Sequence, residues 1–369
     1  MIPWLAETLR EGGGPDFLRV FDYLSTRSLM AALSAFLVTV LFGRRIILWL
    51  FTNRYRDVSE DALLADASSK RGTPTMGGVM LLGATVFAWL LFGNLDNTFG
   101  WLGIIGFVYF GLVGLLDDIM KVRSGRSRGG LSERAKLVLQ VGFAVGFTVF
   151  YLHPWFTPFP EGFEPGWLFI PFLKVPIADI GWVYFFFSVF VILAITNAVN
   201  LTDGLDGLAI VPSISTAAVY AIFAYIIGNK VQSEYLQFEF IPGTGELTVV
   251  CAAVAGAGLG FLWFNAYPAE VFMGDTGALA LGGVLATTAL LLKQEFLFVV
   301  VGGVFVVEVG SSLLQGKLGE NIAGRRLLYR APLHLTFRHL GVAEPRVVVR
   351  FWIVSIMLAL LGLLTIKLR

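Results

Sequence analysis

The sequence predicts an all-α integral membrane protein of about ten transmembrane helices. Three observations carry that expectation. Only 14% of the 369 residues are charged and 56% are hydrophobic, before 42 glycines are added, and the mean hydropathy is +0.77; ordinary globular domains are roughly 25% charged. Apolar stretches of roughly 20 residues recur from end to end, each long enough to cross a bilayer. Most of the 27 lysines and arginines fall in alternate loops between those stretches.

Apolar runs bounded by charge or by Gly/Pro clusters place the spans near 28–50, 76–94, 99–116, 135–152, 180–199, 205–227, 247–265, 272–292, 295–315 and 347–366. Before the first of them Glu7, Arg10, Glu11, Asp16 and Arg19 interrupt every apolar run, so no cleavable signal peptide is expected. The second span opens with Lys70-Arg-Gly-Thr73-Pro-Thr75-Met-Gly-Gly78, which reads either as an anion site of backbone N–H groups and a cation or as a capped, glycine-packed helix start. The third ends in Asp117-Asp118, adjacent carboxylates that repel unless a cation lies between them; the plainer reading is a solvated helix terminus. After the fourth, prolines 154, 158, 160, 165, 171 and 176 make His153 to Ile177 an outer interfacial loop.

Between the fifth and sixth spans, Asn197, Asn200, Asp203 and Asp206 recur every third residue, a polar stripe along one face if the stretch is helical, or else a glycine-rich packing surface. In the seventh span the single Cys251 excludes an intrachain disulfide and reads as a small core residue. Phe272-Met-Gly-Asp275-Thr-Gly opens the eighth with an acid that suits an N-cap and a ligand equally. Past the ninth, His334 follows Arg330-Ala-Pro, with Arg325, Arg326, Arg338 and His339 nearby, a group that suits phosphate contacts or simply enforces orientation. An even number of spans puts both termini on one side, and the basic loops make that side external. One domain over 1–369 is expected, without repeats or a tethered soluble domain.

Net charge of +1 argues against a nucleic-acid surface. Every polar cluster falls on the cytoplasmic face of this topology. Hard oxygen ligands of that kind suit Mg2+, with Mn2+ as a substitute; no Cys/His cluster supports zinc, and no P-loop is present.

Taken together, Lys70 to Gly78, Asp117-Asp118, Asn197 to Ala209, Gly245 to Thr248, Gly256 to Asn265 and Phe272 to Gly277 resemble, in order, the motifs of the phospho-N-acetylmuramoyl-pentapeptide transferase family, within the polyprenyl-phosphate sugar-1-phosphate transferases. The resemblance spans nearly the whole chain. It implies a ten-helix enzyme of the bacterial inner membrane, a homodimer with a cytoplasmic-facing active-site cleft, that moves phospho-MurNAc-pentapeptide from its UDP donor to undecaprenyl phosphate, releasing UMP and forming lipid I. It also implies that Asp117, Asp118 and Asp275 are the essential acids, with Asn200, Asp203, Asp206, Lys70, Thr75, Lys136, Phe272, Gln315 and His334 lining the site. One departure stands out: the family shows three consecutive histidines after Ala-Pro, whereas this chain reads Leu333-His334-Leu335-Thr336, leaving their work to Thr336, Arg338 or His339.

Within that frame Asp118 and Asp275 are expected to hold the metal, and Asp117 to act on the lipid phosphate as base or nucleophile. A phosphate monoester is mostly dianionic at neutral pH, so a base helps without being obligatory. Two rivals remain: a sister transferase using UDP-GlcNAc, and an ion-coupled transporter, which would more commonly show midplane acids within internal repeats.

Overall fold

The computed structural model describes residues 1–13, 15–56, 72–126, 129–316 and 327–368. Helix α1 (Ile2–Glu11) and a 3-10 turn (Asp16–Asp22) lead into α2 (Leu24–Thr52). The bundle continues with α3 (Gly78–Phe92), α4 (Thr98–Ser124), α5 (Glu133–Leu152), α6 (Val183–Thr202), α7 (Ile210–Ile227), the short α8 (Lys230–Leu236), α9 (Glu246–Asn265) and α10 (Gly274–Leu291). It closes with α11 (Leu297–Val301), α12 (Gly303–Leu313), α13 (Leu333–His339) and α14 (Glu344–Leu364). Among the described residues, 8 helices are long and apolar enough to cross a membrane, and Gly78–Phe92 and Gly303–Gly316 are shorter apolar helices. All ten apolar runs are thus helical.

Three details differ from the expectation. The ninth run is split at Gly302 into α11 and α12, glycine being the weakest ordinary helix former. The helix of the sixth run, α7, begins at Ile210 rather than near residue 205, because Gly207 takes φ +75, which no L-residue holds inside a right-handed helix. The interfacial loop after α5 contains a small antiparallel hairpin, Trp167–Leu168 against Ala178–Asp179.

Helix α10 is the centre. Every residue from Thr276 to Leu291 is buried, and α4, α6, α3 and α7 pack around it. Between helices in lipid there is no hydrophobic driving force, so association depends on close van der Waals contact, which the Gly, Ala and Thr of α10 permit. At Gly114 of α4 the backbones nearly touch: a Cβ there would lie 2.1 Å from the carbonyl oxygen of Asp275, as one on Gly78 of α3 would from the Gly277 nitrogen. By contrast α2 exposes Leu29, Leu33, Leu37 and Leu41 at every fourth position, a stripe suited to acyl chains.

Beyond the other end of α10 sits a buried polar group. Lys293 lies 3.7 Å from Glu295 and 3.5 Å from the Tyr184 ring centroid, and donates to the Pro165 carbonyl at 2.7 Å, tying the interfacial loop to the bundle. The Tyr184 hydroxyl donates to Glu295. Burial pushes the Lys293 amine down to about 8. Both termini belong to this end: the Met1 ammonium donates to Leu90 at 2.9 Å and Lys367 to Tyr235 at 3.2 Å.

The α4–α10 contact makes a direct prediction. Gly114→Ala should lower the melting temperature in detergent by the equivalent of about 1–3 kcal/mol, the usual cost of forced overpacking. Gly146→Ala on the outer face of α5, where an added Cβ meets nothing within 4 Å, should leave it unchanged or slightly raised. Equal effects would show that the contact is not a constraint.

Candidate active site

The Gly114 contact sets the next turn of α4, Asp117-Asp118, against the start of α10. Asp118, 4% exposed, behaves as a cap supplied from another helix: Oδ1 accepts from the Asp275 N–H at 3.1 Å, and Oδ2 accepts from the Thr276 N–H at 2.9 Å and the Thr276 hydroxyl at 2.7 Å. A helix start leaves N–H groups without intrahelical acceptors, and at membrane depth each needs a partner. Asp118 provides it.

Asp117, 2% exposed, accepts from the Leu131 N–H at 2.8 Å through Oδ1, and its Oδ2 lies 2.6 Å from Lys121 Nζ. Lys121 reaches on to Asp275 Oδ2 at 2.9 Å, where Lys136 of α5 arrives at 2.7 Å. The three carboxylates each offer an oxygen within 4.8 Å of the others, the group among the described residues that could hold a metal ion. With two ammonium groups against three carboxylates, one negative charge remains. A carboxylate oxygen has two lone pairs, so Asp118 Oδ1 retains one beyond its bond to Asp275. The donor set is all oxygen and fits a hard divalent cation.

The polar stripe divides. Helix α6 ends at Thr202, so the four residues do not share one helix face. Asn197 pairs with Gln140 of α5, Nδ2 to Oε1 at 2.8 Å. Asn200 Oδ1 is buried and lacks a hydrogen-bond partner among the described residues, the kind of orphan acceptor that a bound ligand satisfies. Asp203 lies half-buried at the helix end, and burial, with the negative charges of Asp275, Asp118 and Asp206, pushes its carboxyl up to about 8. Asp206 ties loops together: Oδ2 accepts from the Ala269 N–H at 3.1 Å, and its own N–H donates to Glu344 at 3.1 Å.

At the opening of α3 the N–H groups of Thr75, Gly77 and Gly78 are already engaged. Gly77 and Gly78 donate to the carbonyls of Phe272 and Met273 at 2.8 and 3.0 Å, the Phe272 N–H donates to Pro74 at 2.8 Å, and the Thr75 N–H donates to Tyr55 at 3.0 Å. The segment is a two-stranded tie that holds Phe272 and Asp275 in place. Lys70, Arg325 and Arg326 lie outside the described residues.

His334, 2% exposed, is held by Glu308 of α12, and its Nε2 faces Gly204, beside Asp203: a Cβ on Gly204 would lie 2.4 Å from it. Gln315 Oε1 accepts the N–H groups of Leu327 and Leu328 at 3.1 and 2.9 Å. Of the proposed substitutes for the missing histidines, Thr336 hydrogen-bonds the Arg330 backbone, Arg338 donates to the Val342 carbonyl at 3.0 Å, and His339 lies against Tyr329. Sequence reasoning passed over Lys121, although it stands four residues after Asp117, and Glu308, although it is a lone acid in an apolar run.

Comparison with known proteins gives the chain's family. The family model for glycosyl transferase family 4 matches residues 100–293, and signature 1 of phospho-N-acetylmuramoyl-pentapeptide-transferase matches residues 70–82. Proteins of the latter name from Maridesulfovibrio salexigens and Desulfotalea psychrophila are 44% and 46% identical, covering 95% of this chain and 96% and 95% of their own. One from Desulfovibrio desulfuricans is 45% identical over 96% of each chain.

Two measurements follow from the geometry. Asp118→Asn, with one acceptor oxygen for three donors, should destabilise the fold by about 1–3 kcal/mol as well as impair any activity; an unchanged melting temperature would remove its capping role. An Asp203 carboxyl that titrates near 4 when unfolded and near 8 when folded favours folding fully only below pH 4. That stability is lost as pH climbs to about 8. In EDTA, the melting temperature of Asp203→Asn should therefore gain on wild type from pH 5 to pH 8 and level off above, whereas a pH-independent difference would contradict the shift.

Proposed function

Because the chain belongs to the phospho-N-acetylmuramoyl-pentapeptide transferase family, we propose that it transfers phospho-MurNAc-pentapeptide from UDP-MurNAc-pentapeptide to undecaprenyl phosphate, giving lipid I and UMP. The observation that carries the reading is the convergence of Asp117, Asp118 and Asp275, with Lys121 and Lys136, at one end of a polytopic helical bundle.

A phosphate oxygen of the lipid attacks the phosphorus that bears the sugar, and the bond to the bridging oxygen of the diphosphate breaks, so that UMP leaves with that electron pair. The obstacle is charge: anionic lipid phosphate must approach an anionic diphosphate. Lys121 and Lys136 supply fixed positive charge at Asp275. Asp118 and Asp275 are the residues that would hold Mg2+, which would neutralise phosphate oxygens and polarise the phosphorus under attack. Asp117 stands beside them as the base that takes any remaining proton from the lipid phosphate. Asn200, with its orphan oxygen, and Asp203 lie toward the donor, and His334 faces the same turn. Asp206, Phe272, Thr75 and Gln315 support that wall mainly through the loops they fix.

In this reading the whole chain is one membrane domain of a homodimer in the bacterial inner membrane. The site faces the cytoplasm and both termini lie outside, as their placement at the end remote from the acids supports. A transporter is the poorer fit, since the acids stand at helix ends and are bound to lysines and to a helix start.

The test is purified protein with undecaprenyl phosphate and either UDP-MurNAc-pentapeptide or UDP-GlcNAc, with UMP release as readout. UMP should appear with the former donor, only with Mg2+ or Mn2+ present, and fall by orders of magnitude in Asp275→Asn. Turnover of UDP-GlcNAc alone would reassign the donor, and full turnover in excess EDTA would remove the metal.

A further inference from the structure

Glu308 plays no part in the chemistry above, yet it is a fully buried carboxylate in the middle of α12. A carboxylate in that setting is costly unless it is hydrogen-bonded. Both oxygens serve one residue: Oε1 accepts from the backbone N–H of His334 at 3.1 Å, and Oε2 lies 2.8 Å from its Nδ1. One turn on, the Ser311 hydroxyl accepts from the Leu333 N–H at 3.0 Å, so the start of α13 is fastened to α12 at two points.

An ionised carboxylate only accepts hydrogen bonds, so Nδ1 must carry a proton. In the neutral ring Nε2 is then the acceptor, and Nε2 is the atom turned toward Gly204 and the end of α6. We propose that Glu308 is a positioning residue for the transfer reaction, fixing the ring plane and the Nδ1–H tautomer of His334 so that Nε2 faces the donor side of the site. This rests on the reading that His334 handles the donor, and it gives the one histidine this chain keeps at the motif a defined protonation pattern.

The two-oxygen geometry makes the proposal testable with one atom. In Glu308→Gln the amide must keep its oxygen on the His334 backbone N–H, since two facing N–H groups repel, and its NH2 therefore meets Nδ1. Nδ1 must then accept, and the ring proton moves to Nε2, with volume unchanged.

The experiment uses full-length protein labelled with 15N-histidine, whose three histidines His153, His334 and His339 are assigned by substitution. Spectra recorded where the ring is neutral should show Nε2 of His334 unprotonated in wild type and protonated in Glu308→Gln. The donor kcat/KM should fall about 10- to 100-fold, by analogy with the loss seen when the partner that orients a metal-ligating histidine is removed. Added to His334→Ala, Glu308→Gln should cause no further fall. An unchanged tautomer, or wild-type kcat/KM in Glu308→Gln while His334→Ala is impaired, would overturn the positioning role and leave the donor reading standing. An equal further fall in the double variant would mean that Glu308 acts elsewhere. Wild-type kinetics in His334→Ala would remove the donor reading itself, and the positioning role with it.

Discussion

The bond between the Asp118 carboxylate and the first turn of α10 is the constraint on which the site is built. A helix beginning inside a bundle carries unsatisfied N–H groups, and lipid offers them no water. Asp118 meets that need from α4, and it can do so only because Gly114, one turn earlier, lets the two backbones touch. The same contact brings Asp117 and Asp118 beside Asp275. Three acids at such range repel, and Lys121 and Lys136 make the cluster tolerable before any substrate arrives. Folding and the proposed chemistry thus draw on the same carboxylates.

Much of the fold was legible. A run of apolar residues long enough to cross a membrane has few alternatives to a helix, because the backbone must satisfy itself, and all ten runs are helical. Boundaries were less legible because they depend on backbone conformation rather than hydropathy. Leu205 to Ala209 adjoin an apolar run but form a turn through Gly207, and within 295–315 only the Gly302-Gly303 pair marks the break, a signal that many unbroken membrane helices also carry.

The site was legible as a set of residue types and less so as a set of contacts. Adjacent acids in a hydrophobic chain announce themselves, and Asp117, Asp118 and Asp275 do meet. What sequence could not give is the direction of each side chain. Asp206 looked equivalent to Asp203, yet one bonds a loop amide while the other is left half-buried among acids at the end of α6. The glycines of the α3 opening suggested an anion cradle, but their N–H groups are engaged by Phe272 and Met273, a pairing between segments far apart in sequence. Lys121 and Glu308 had local signals, spacing in one case and isolation in the other, that become persuasive only when the partner is seen.

Helix α10 is held at both ends, by Asp118 at its first turn and, just past its last, by the Lys293, Glu295 and Tyr184 group, and it has no face to lipid. A rod clamped in this way cannot slide or tilt without breaking buried polar contacts at one end or the other. Whatever motion admits a bulky lipid and a sugar nucleotide must then be confined to the periphery, to α13, the turn after α6 and the outer helices. The three clustered acids are in that sense a fixed anvil, and in the proposed reaction turnover is a matter of what moves up to it.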